Sequence, residues 1–253
     1  MAAVTLKSVV LGEGRTKVIV PVTGRDAAEL VAQVEALAAH EFDIIEWRAD
    51  FLDAVTDPDA VVAVGRDVVR AAGGRPILFT IRTSGEGGEQ EVRAEQYVAT
   101  TTAVIEAGLA DAVDVELRYG REAGDAVQEA ARAAGVPVVG SWHDFHSTPP
   151  VEQIVATLTE MRERGFDVAK VAVMPTDVGD VLALLQATWE MGRAHPETPL
   201  LTMSMGGRGA LSRMAAPVVG SCATFAMVGR PSAPGQVPVE ELRPILNLLE
   251  SGL

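Results

Sequence analysis

The chain has 253 residues, 48% of them hydrophobic, and a formal net charge of -14 at pH 7. This acidic balance excludes nucleic acid and anionic membrane surfaces as partners, and an anionic small-molecule substrate would need a local cluster of arginines. The single Cys222 excludes an internal disulfide and is typical of a cytoplasmic protein. Charged residues interrupt the apolar stretch near the N-terminus, so we do not expect a leader peptide. No later apolar stretch is long enough to cross a bilayer, so we do not expect a membrane span.

Short apolar runs alternate with helical patterns along the whole chain. The runs Val4–Leu11 and Lys17–Val22, on either side of Gly12 and Gly14, predict a hairpin whose second arm becomes the first core strand. Further strands are predicted at 42–48, 76–81, 112–117, 137–142, 166–175, 200–204 and 221–227. The predicted helices cover 26–39, 57–72, 89–107, 122–134, 148–164, 177–191, 211–215 and 239–249.

Counted from Val18, the pattern contains eight strands, each followed by a helical segment. Alternation of this kind indicates parallel strands joined by helical crossovers. Eight such units in about 250 residues favour one closed (β/α)8 TIM barrel over the alternative, an open doubly wound sheet. We therefore expect a single α/β domain, with the hairpin in residues 1–17 and the barrel in residues 18–253.

Polar side chains follow the predicted strands at their carboxyl ends, where such barrels carry active sites. Alternate residues of a strand share a face, so each strand end offers a pair or a single candidate. The candidates are Glu46, Arg48, Thr80, Arg82, Asp114, Glu116, Ser141, His143, Lys170, Met203 and Met205. Glu46 and Arg48 could instead form an internal ion pair, Asp114 and Glu116 are expected to hold the lysine or the arginines in place, and the methionines are expected to form a pocket wall.

Lys170 lies in the middle of a β-branched apolar run. A buried amine that loses its proton is a nucleophile able to form a Schiff base with a carbonyl substrate. The structural alternative is an ammonium at a strand end that reaches water.

His143 is the only histidine expected at a strand end, and a neutral imidazole suits proton abstraction near neutral pH. His146 lies close by in sequence, but no third ligand at zinc-like spacing accompanies the two, so no metal site is predicted. The glycine-rich segment 204–210 precedes a short helix at a place where barrels often bind phosphate, although it lacks a phosphate-loop motif. Arg213, shortly after it, could bind an anion with two parallel hydrogen bonds.

These residues stand in motifs that resemble the type I 3-dehydroquinate dehydratases over essentially the whole chain. The motifs are the N-terminal hairpin 4–14, Glu46-Trp-Arg48-Ala-Asp50, Thr80-Ile-Arg82 with Glu86-Gly-Gly, Ser141-Trp-His143-Asp-Phe, Ala169-Lys170-Val-Ala-Val-Met-Pro, Thr202-Met-Ser-Met-Gly, Leu211-Ser-Arg213, Gly220-Ser-Cys-Ala-Thr-Phe225 and Ser232-Ala-Pro-Gly-Gln236. Their joint presence in this order makes the resemblance specific.

The resemblance implies dehydration of 3-dehydroquinate to 3-dehydroshikimate in the shikimate pathway, without cofactor or metal. Lys170 would form an imine with the ketone, His143 would move protons, and Glu86 would assist His143. Substrate would be bound by the remaining members of the site, namely Glu46, Arg48, Arg82, Met203, Met205, Arg213, Phe225, Ser232 and Gln236. Of these, Arg213 would take the substrate carboxylate, with Ser232 and Gln236 closing over it. The family tends to form homodimers.

Two departures from the family pattern stand out. His146 occupies a place where the family usually has Asn or a similar polar residue, and a second role for this imidazole stays open. The segment 226–231 is also less usual, and Arg230-Pro231 could change how the loop 232–236 moves. Two alternative functions remain at this point: another Schiff-base barrel lyase, such as an aldolase acting on a keto acid, and a catalytically silent relative that only binds metabolites.

Overall fold

The computed structural model describes residues 3–252 and shows the (β/α)8 barrel that the alternation predicts. Its eight barrel strands are all parallel to their neighbours and occur in chain order around the sheet. The last strand returns to the first, and a parallel bridge between Leu200 and Ser221 joins the seventh strand to the start of the eighth. The alternative of an open doubly wound sheet is therefore wrong.

The elements alternate regularly. The strands are β1 Val4–Leu6, β2 Val9–Leu11, β3 Lys17–Val22, β4 Ile44–Arg48, β5 Ile77–Thr80, β6 Ala112–Glu116, β7 Val138–Asp144, β8 Val168–Val173, β9 Leu200–Ser204, β10 Ala223–Met227 and β11 Val237–Pro238. The α-helices are α1 Ala27–Ala36, α2 Pro58–Ala72, α3 Ala94–Glu106, α4 Arg121–Ala134, α5 Val151–Glu163, α6 Val178–Ala194, α7 Ala210–Met214, α8 Ala216–Val219 and α9 Val239–Glu250. Strands β3 to β10 form the barrel, and β11 adds a short parallel edge to β10.

Local signals explain several of the helix ends. The Asp26 side chain accepts a hydrogen bond from the Glu29 backbone N–H at the start of α1, as expected of an N-cap. Gly73 and Gly135 end α2 and α4 in the left-handed conformation, with φ of 59° and 69°. Helix α3, however, begins at Ala94 rather than at 89, because residues 83–90 form a loop at the mouth of the barrel.

The N-terminal hairpin differs from the predicted one. Strand β1 pairs antiparallel with β2, so both arms lie within the run Val4–Leu11, and Lys17–Val22 belongs to the barrel. The turn falls at Lys7, whose φ is 53°, instead of at Gly12 and Gly14. The predicted pairing of 4–11 with 17–22 is therefore wrong.

The core consists of two apolar layers, one outside and one inside the sheet. Outward-facing strand residues such as Val18, Val20 and Trp47 pack against the helices, and inward-facing residues such as Ile19, Ile44 and Leu201 fill the barrel. The hairpin contributes Val4, Leu6 and Leu11 to the inner layer, where they pack on the residues at the amino ends of the strands. The hairpin thus covers the amino-terminal end of the barrel and leaves the carboxyl-terminal end for polar chemistry. Within residues 3–252, no helix is long and apolar enough to cross a membrane.

Candidate active site

A cavity of about 450 Å³, measured out to its opening to solvent, lies at the carboxyl-terminal end of the barrel. Its size is in the range of small-molecule sites. The structure brings all of the predicted site residues to its wall: Glu46, Arg48, Arg82, Glu86, His143, Lys170, Met203, Met205, Arg213, Phe225, Ser232 and Gln236. Residues from six of the eight barrel strands, or from the loops after them, therefore converge on one space.

Lys170 lies inside the barrel and its side chain is only 3% exposed. Its Nζ donates a hydrogen bond to Asp114 Oδ2 at 3.0 Å and lies 3.7 Å from Glu46 Oε1. The Phe225 ring centroid is 4.8 Å away. The structure therefore contradicts a lysine that reaches water at a strand end: the amine is held between two carboxylates and an aromatic face, beside the cavity.

Arg82 joins the two carboxylates of β6. Its Nη2 lies 2.8 Å from Asp114 Oδ1, and its Nη1 donates to Glu116 Oε1 at 2.9 Å. Burial alone would raise the pKa of Asp114, but the cations of Arg82 and Lys170 outweigh it and hold that pKa at about 2. Asp114 is therefore an anion that contacts both cations, as the prediction of a holding role for Asp114 and Glu116 requires.

Glu86 and His143 form a buried pair. Glu86 Oε2 is 2.8 Å from His143 Nδ1 and also accepts the His143 backbone N–H at 3.1 Å. Burial and the nearby Glu116 carboxylate raise the pKa of Glu86 to about 8. Burial and the cations Arg82 and Lys170 lower the pKa of His143 well below its usual range. The imidazole is therefore neutral at neutral pH, and Glu86 controls which ring nitrogen carries its proton.

Arg48 and Glu46 do not pair with each other, so the expectation of an internal ion pair between them is wrong. Arg48 forms a two-pronged bond with Asp50, from Nε to Oδ1 and from Nη2 to Oδ2, both at 2.8 Å. Glu46 instead accepts a hydrogen bond from Thr80 Oγ1 at 3.2 Å and faces Lys170. Glu46 therefore finds its partners on other strands, and Arg48 pairs with Asp50 instead of with Glu46.

Arg213 differs from the other cations of the cavity. Among residues 3–252, no carboxylate lies within ion-pair distance of its guanidinium, whose Nε donates to the Gly235 carbonyl at 3.1 Å. Burial lowers the pKa of Arg213 to about 10. A buried cation without an anion is costly, so this position favours an anionic ligand.

The loop after β10 closes over Arg213. Gln236 Oε1 accepts the Ser232 backbone N–H at 2.8 Å, and Gly206 N donates to the Pro234 carbonyl at 3.0 Å. A Cβ at Gly235, whose φ is 76°, would lie 2.1 Å from the Gly206 carbonyl oxygen. The loop therefore approaches the end of β9 at a point that only glycine permits.

The structure adds four residues to the predicted site. Gly87, Phe145, Ala172 and Ala233 also line the cavity, and the Phe145 ring stacks on that of His143 with the ring centroids 6.4 Å apart. Phe145 continues the alternation of Ser141 and His143, and Ala172 that of Lys170, so the period of two was a usable signal for both. Asp50 was not predicted as a site residue; it lies in the single 3-10 turn Ala49–Phe51 after β4, where the period of two no longer applies.

Two further sequence features, His146 and the glycine-rich segment 204–210, were also candidate binding sites. His146 is exposed, and its backbone N–H donates to Asp144 Oδ1 at 2.8 Å. The carbonyl of Gly209, in the glycine-rich segment, accepts the Ser212 hydroxyl at 2.7 Å. In the described part of the chain, no group of three or more metal-ligating side chains is placed to hold a metal ion.

Fold and site together define a (β/α)8-barrel enzyme whose titratable groups meet at one end of the barrel. Residues 18–252 match the family model of the type I 3-dehydroquinases. The chain therefore belongs to the type I 3-dehydroquinase family and is a hydro-lyase.

Individual relatives agree with this assignment. Over 249 residues the chain is 41% identical to a 3-dehydroquinate dehydratase of Salmonella agona, an alignment covering 98% of this chain and 99% of the relative. It is also 41% identical to that of Bacillus licheniformis, over 99% of this chain and 98% of the relative. The fold matches a type I 3-dehydroquinate dehydratase from Clostridium difficile, solved with covalently modified comenic acid, with a TM-score of 0.96, 39% identity and 100% coverage of both chains.

Proposed function

We propose that the protein dehydrates 3-dehydroquinate to 3-dehydroshikimate, in the shikimate pathway, through an imine between the substrate ketone and Lys170. The observation that carries the proposal is the position of Lys170 Nζ, which is buried beside the cavity and 3.0 Å from Asp114 Oδ2. Asp114 holds the amine at the edge of the cavity, and the amine attacks a carbonyl as a nucleophile once it has lost its proton.

The imine makes the elimination feasible. Attack of the amine on the ketone and loss of one water give an iminium, which acidifies the neighbouring C–H bond. His143 removes that proton, and the electron pair of the C–H bond moves to the iminium to give an enamine. The enamine then expels the β-hydroxyl group, which takes the proton from His143 and leaves as water. Hydrolysis of the conjugated iminium releases the unsaturated ketone and restores Lys170.

His143 can serve as both base and acid because its first step leaves it protonated. With Glu86 ionised, Nδ1–H donates to Oε2 and the lone pair of Nε2 can accept the substrate proton. With Glu86 protonated, the bond is reversed and Nε2 carries a hydrogen. Glu86 therefore assists by selecting the tautomer that acts as base.

The substrate-binding roles follow from which side-chain hydrogen-bond donors of the cavity are already paired with protein groups. Arg213 takes the substrate carboxylate, because it alone among the cavity cations lacks a carboxylate partner in the described structure. Ser232 and Gln236 belong to the loop that covers it. Arg48 Nη1 takes no part in the bond to Asp50 and can bind a hydroxyl group, as can Glu46. Arg82 acts mainly through its charge, since Asp114 and Glu116 occupy its guanidinium.

The apolar wall excludes water from the reacting carbon. Met203, Met205 and Phe225 are all less than 5% exposed and line the side of the cavity formed by the last strands. No step of this reaction requires a cofactor, because the iminium itself serves as the electron sink.

The proposal is tested by adding borohydride to the protein with 3-dehydroquinate while product is assayed in a parallel sample without reductant. We expect 3-dehydroshikimate in the second sample and a reduced adduct on Lys170 in the first. A folded protein that forms no product and carries no adduct would contradict the proposal. Release of pyruvate from a keto acid would favour an aldolase instead, and saturable binding of 3-dehydroquinate without turnover would favour a silent relative.

We also propose a homodimer. Helix α6 packs against α7 and α8, and these helices carry the exposed apolar side chains Val178, Leu182, Leu211 and Val218. A second copy of the chain would cover this face. Light scattering should give twice the chain mass of 26.6 kDa for the parent and the chain mass for Leu182→Glu. A parent that runs at the chain mass would contradict the dimer.

The domain organisation and location remain predictions of the same kind. We propose that residues 1–17 and 18–253 fold as one unit, because the hairpin side chains belong to the inner barrel layer. Deletion of residues 1–12 should therefore abolish cooperative unfolding of the barrel, and an unchanged unfolding midpoint would contradict this. A cytoplasmic location agrees with the single, buried Cys222, and cell fractionation tests it directly.

A further inference from the structure

Asp50 lies two residues beyond the end of β4 and is fully buried, with 0% exposure. We propose that Asp50 is a positioning residue for the dehydration, because its one carboxylate orients Arg48 and fixes both ends of the loop that carries Glu86. The inference rests on the proposed roles of Arg48, Glu86 and His143, and it concerns a residue that contacts none of the reacting atoms.

The first task of the Asp50 carboxylate is to orient Arg48. Both of its oxygens are used, Oδ1 by Nε and Oδ2 by Nη2, at 2.8 Å each. This parallel pair fixes the plane of the guanidinium as well as its position. The Phe51 ring supports the other side, with its centroid 5.1 Å from the guanidinium carbon. Arg48 is thereby held with Nη1 available at the cavity wall.

The second task is to hold the segment Arg82–Gln90, called here the Glu86 loop. Asp50 Oδ1 accepts the Arg82 backbone N–H at 3.2 Å, and Oδ2 accepts the Glu89 backbone N–H at 3.3 Å. The Gln90 side-chain amide adds bonds to the carbonyl oxygens of Asp50 and Leu52, both at 2.9 Å. The beginning and the end of the loop therefore meet at one residue.

The Glu86 loop is also closed on itself, so a shift at its ends is passed to its centre. The backbone N–H groups of Glu86 and Gly88 both donate to the Thr83 carbonyl, at 3.0 and 2.8 Å. A Cβ at Gly88 would lie 1.8 Å from the Arg82 carbonyl oxygen, and one at Gly87 would lie 2.4 Å from the Phe145 ring. Close packing of this kind leaves the loop little room to adjust while keeping the bond between Glu86 and His143.

A second aspartate provides a matched comparison at the opposite end of the barrel. Asp43 Oδ2 accepts the Val18 backbone N–H at 2.8 Å, and the side chain pairs with the buried Arg243 and with Arg15. Like Asp50, it ties a strand to a buried arginine. It does not line the cavity, so its loss should affect stability without affecting the chemistry.

The test compares Asp50→Asn with Asp43→Asn. In Asp50→Asn, the new NH2 group faces N–H donors in place of an acceptor. Either orientation of the amide breaks one bond of the fork to Arg48, together with the backbone bond to Glu89 or to Arg82. We expect KM to rise about tenfold through Arg48 and kcat to fall about tenfold or more through Glu86, since a small misplacement of catalytic groups has large effects on rate. The pH profile of kcat/KM should also move. Asp43→Asn should lower the unfolding midpoint and leave all three quantities at their parent values.

Gln90→Ala keeps the test decisive if Asp50→Asn fails to fold. This variant removes only the amide bonds that tie the Glu86 loop to the chain after β4, and it leaves the fork to Arg48 intact. We expect a lower kcat and a shifted pH profile with an unchanged KM. Parent values of kcat and of the pH profile would overturn the positioning role.

A double-mutant cycle identifies the route. In a Glu86→Gln background, Asp50→Asn should lower kcat much less than it does in the parent, because its target is already altered. Equal losses of kcat in both backgrounds would overturn a route through Glu86. An Asp50→Asn variant that shows only a lowered unfolding midpoint would mean that Asp50 has a structural role alone. Borohydride labelling of the parent keeps the two proposals apart: an unlabelled parent contradicts the imine, and a labelled parent with a parent-like Asp50→Asn variant contradicts only the inference about Asp50.

Discussion

Replacement of Arg213 by methionine should stabilise the protein and weaken substrate binding at the same time. The guanidinium is 1% exposed, and no carboxylate in the described residues compensates its charge. Its pKa falls from 12.5 to about 10 because of burial. A cation with a lowered folded-state pKa opposes folding at every pH below that pKa, and the cost disappears as the pH rises through 10 to 12.5.

The magnitudes follow from this burial. One pKa unit corresponds to about 1.36 kcal/mol, so the charge costs the unliganded protein roughly 3 kcal/mol at pH 7. Methionine fills much of the same space without a charge, and we expect the free energy of unfolding to rise by about 1–3 kcal/mol. The substrate carboxylate would lose two charge-assisted hydrogen bonds of about 1.5–3 kcal/mol each, which corresponds to a KM higher by roughly a hundredfold or more.

The assay combines urea unfolding without substrate and steady-state kinetics with 3-dehydroquinate. Arg208→Met is the control, because Arg208 lies in the glycine-rich segment just before Arg213 and is exposed. The control should leave KM and stability near the parent values. A destabilised Arg213→Met variant, or one with an unchanged KM, would refute the argument that Arg213 binds the anionic group of the substrate.

Three further predictions concern the chemistry. Lys170→Ala should lower kcat by orders of magnitude and Cys222→Ser should leave it near the parent value; equal turnover of the lysine variant and the parent would end the covalent mechanism. His143→Ala should slow proton removal and imine hydrolysis, so mass spectrometry of the variant with substrate should show an accumulated adduct, and normal turnover without adduct would move the base elsewhere. In the parent, kcat/KM should rise with pH through about 8 as Glu86 loses its proton and frees Nε2 of His143. Glu86→Gln should remove this rise, and an unchanged profile would contradict the role of the pair.

The free energy of unfolding should depend on pH through the pair of Glu86 and His143, with opposite signs for the two residues. The pKa of Glu86 is raised in the folded state, so the folded protein binds the proton more tightly and Glu86 contributes stability that is lost as pH rises from 4.5 to about 8. The lowered pKa of His143 acts in the opposite sense, because stability is lost as pH falls below 6.5 and the unfolded imidazole takes up a proton. The difference in unfolding free energy between Glu86→Gln and the parent should therefore increase in favour of the variant from pH 5 to pH 9.

The eight-strand barrel could be predicted because its signals are local. Each strand is a short apolar run, and each crossover begins or ends at a recognisable cap such as Asp26 or Gly135. The period of two along each strand then placed Lys170, His143 and Arg48 on inward faces without any knowledge of the partner strands. The placement of these side chains at the cavity was therefore available from the sequence.

Features that depend on distant partners could not be predicted in the same way. The hairpin turn at Lys7 lacks the glycine or asparagine that usually marks a two-residue turn, so the run 4–11 gave no sign of two strands. The start of α3 was misplaced because the preceding loop is held by Asp50, which is far away in sequence. The predicted partner of Glu46 was wrong for the same reason, since Lys170 approaches it only in the folded barrel. Arg48 binds Asp50, two residues onward.

The imine on Lys170 is tested most directly by mass spectrometry of the peptide that contains it, after borohydride reduction in the presence of 3-dehydroquinate. In His143→Ala, that peptide should carry the reduced adduct of the intact substrate, because dehydration is blocked. In the parent, part of the adduct should be lighter by one water, because elimination occurs while the substrate is attached. An adduct on another peptide, or 3-dehydroshikimate formed at the parent rate by Lys170→Ala, would contradict the mechanism.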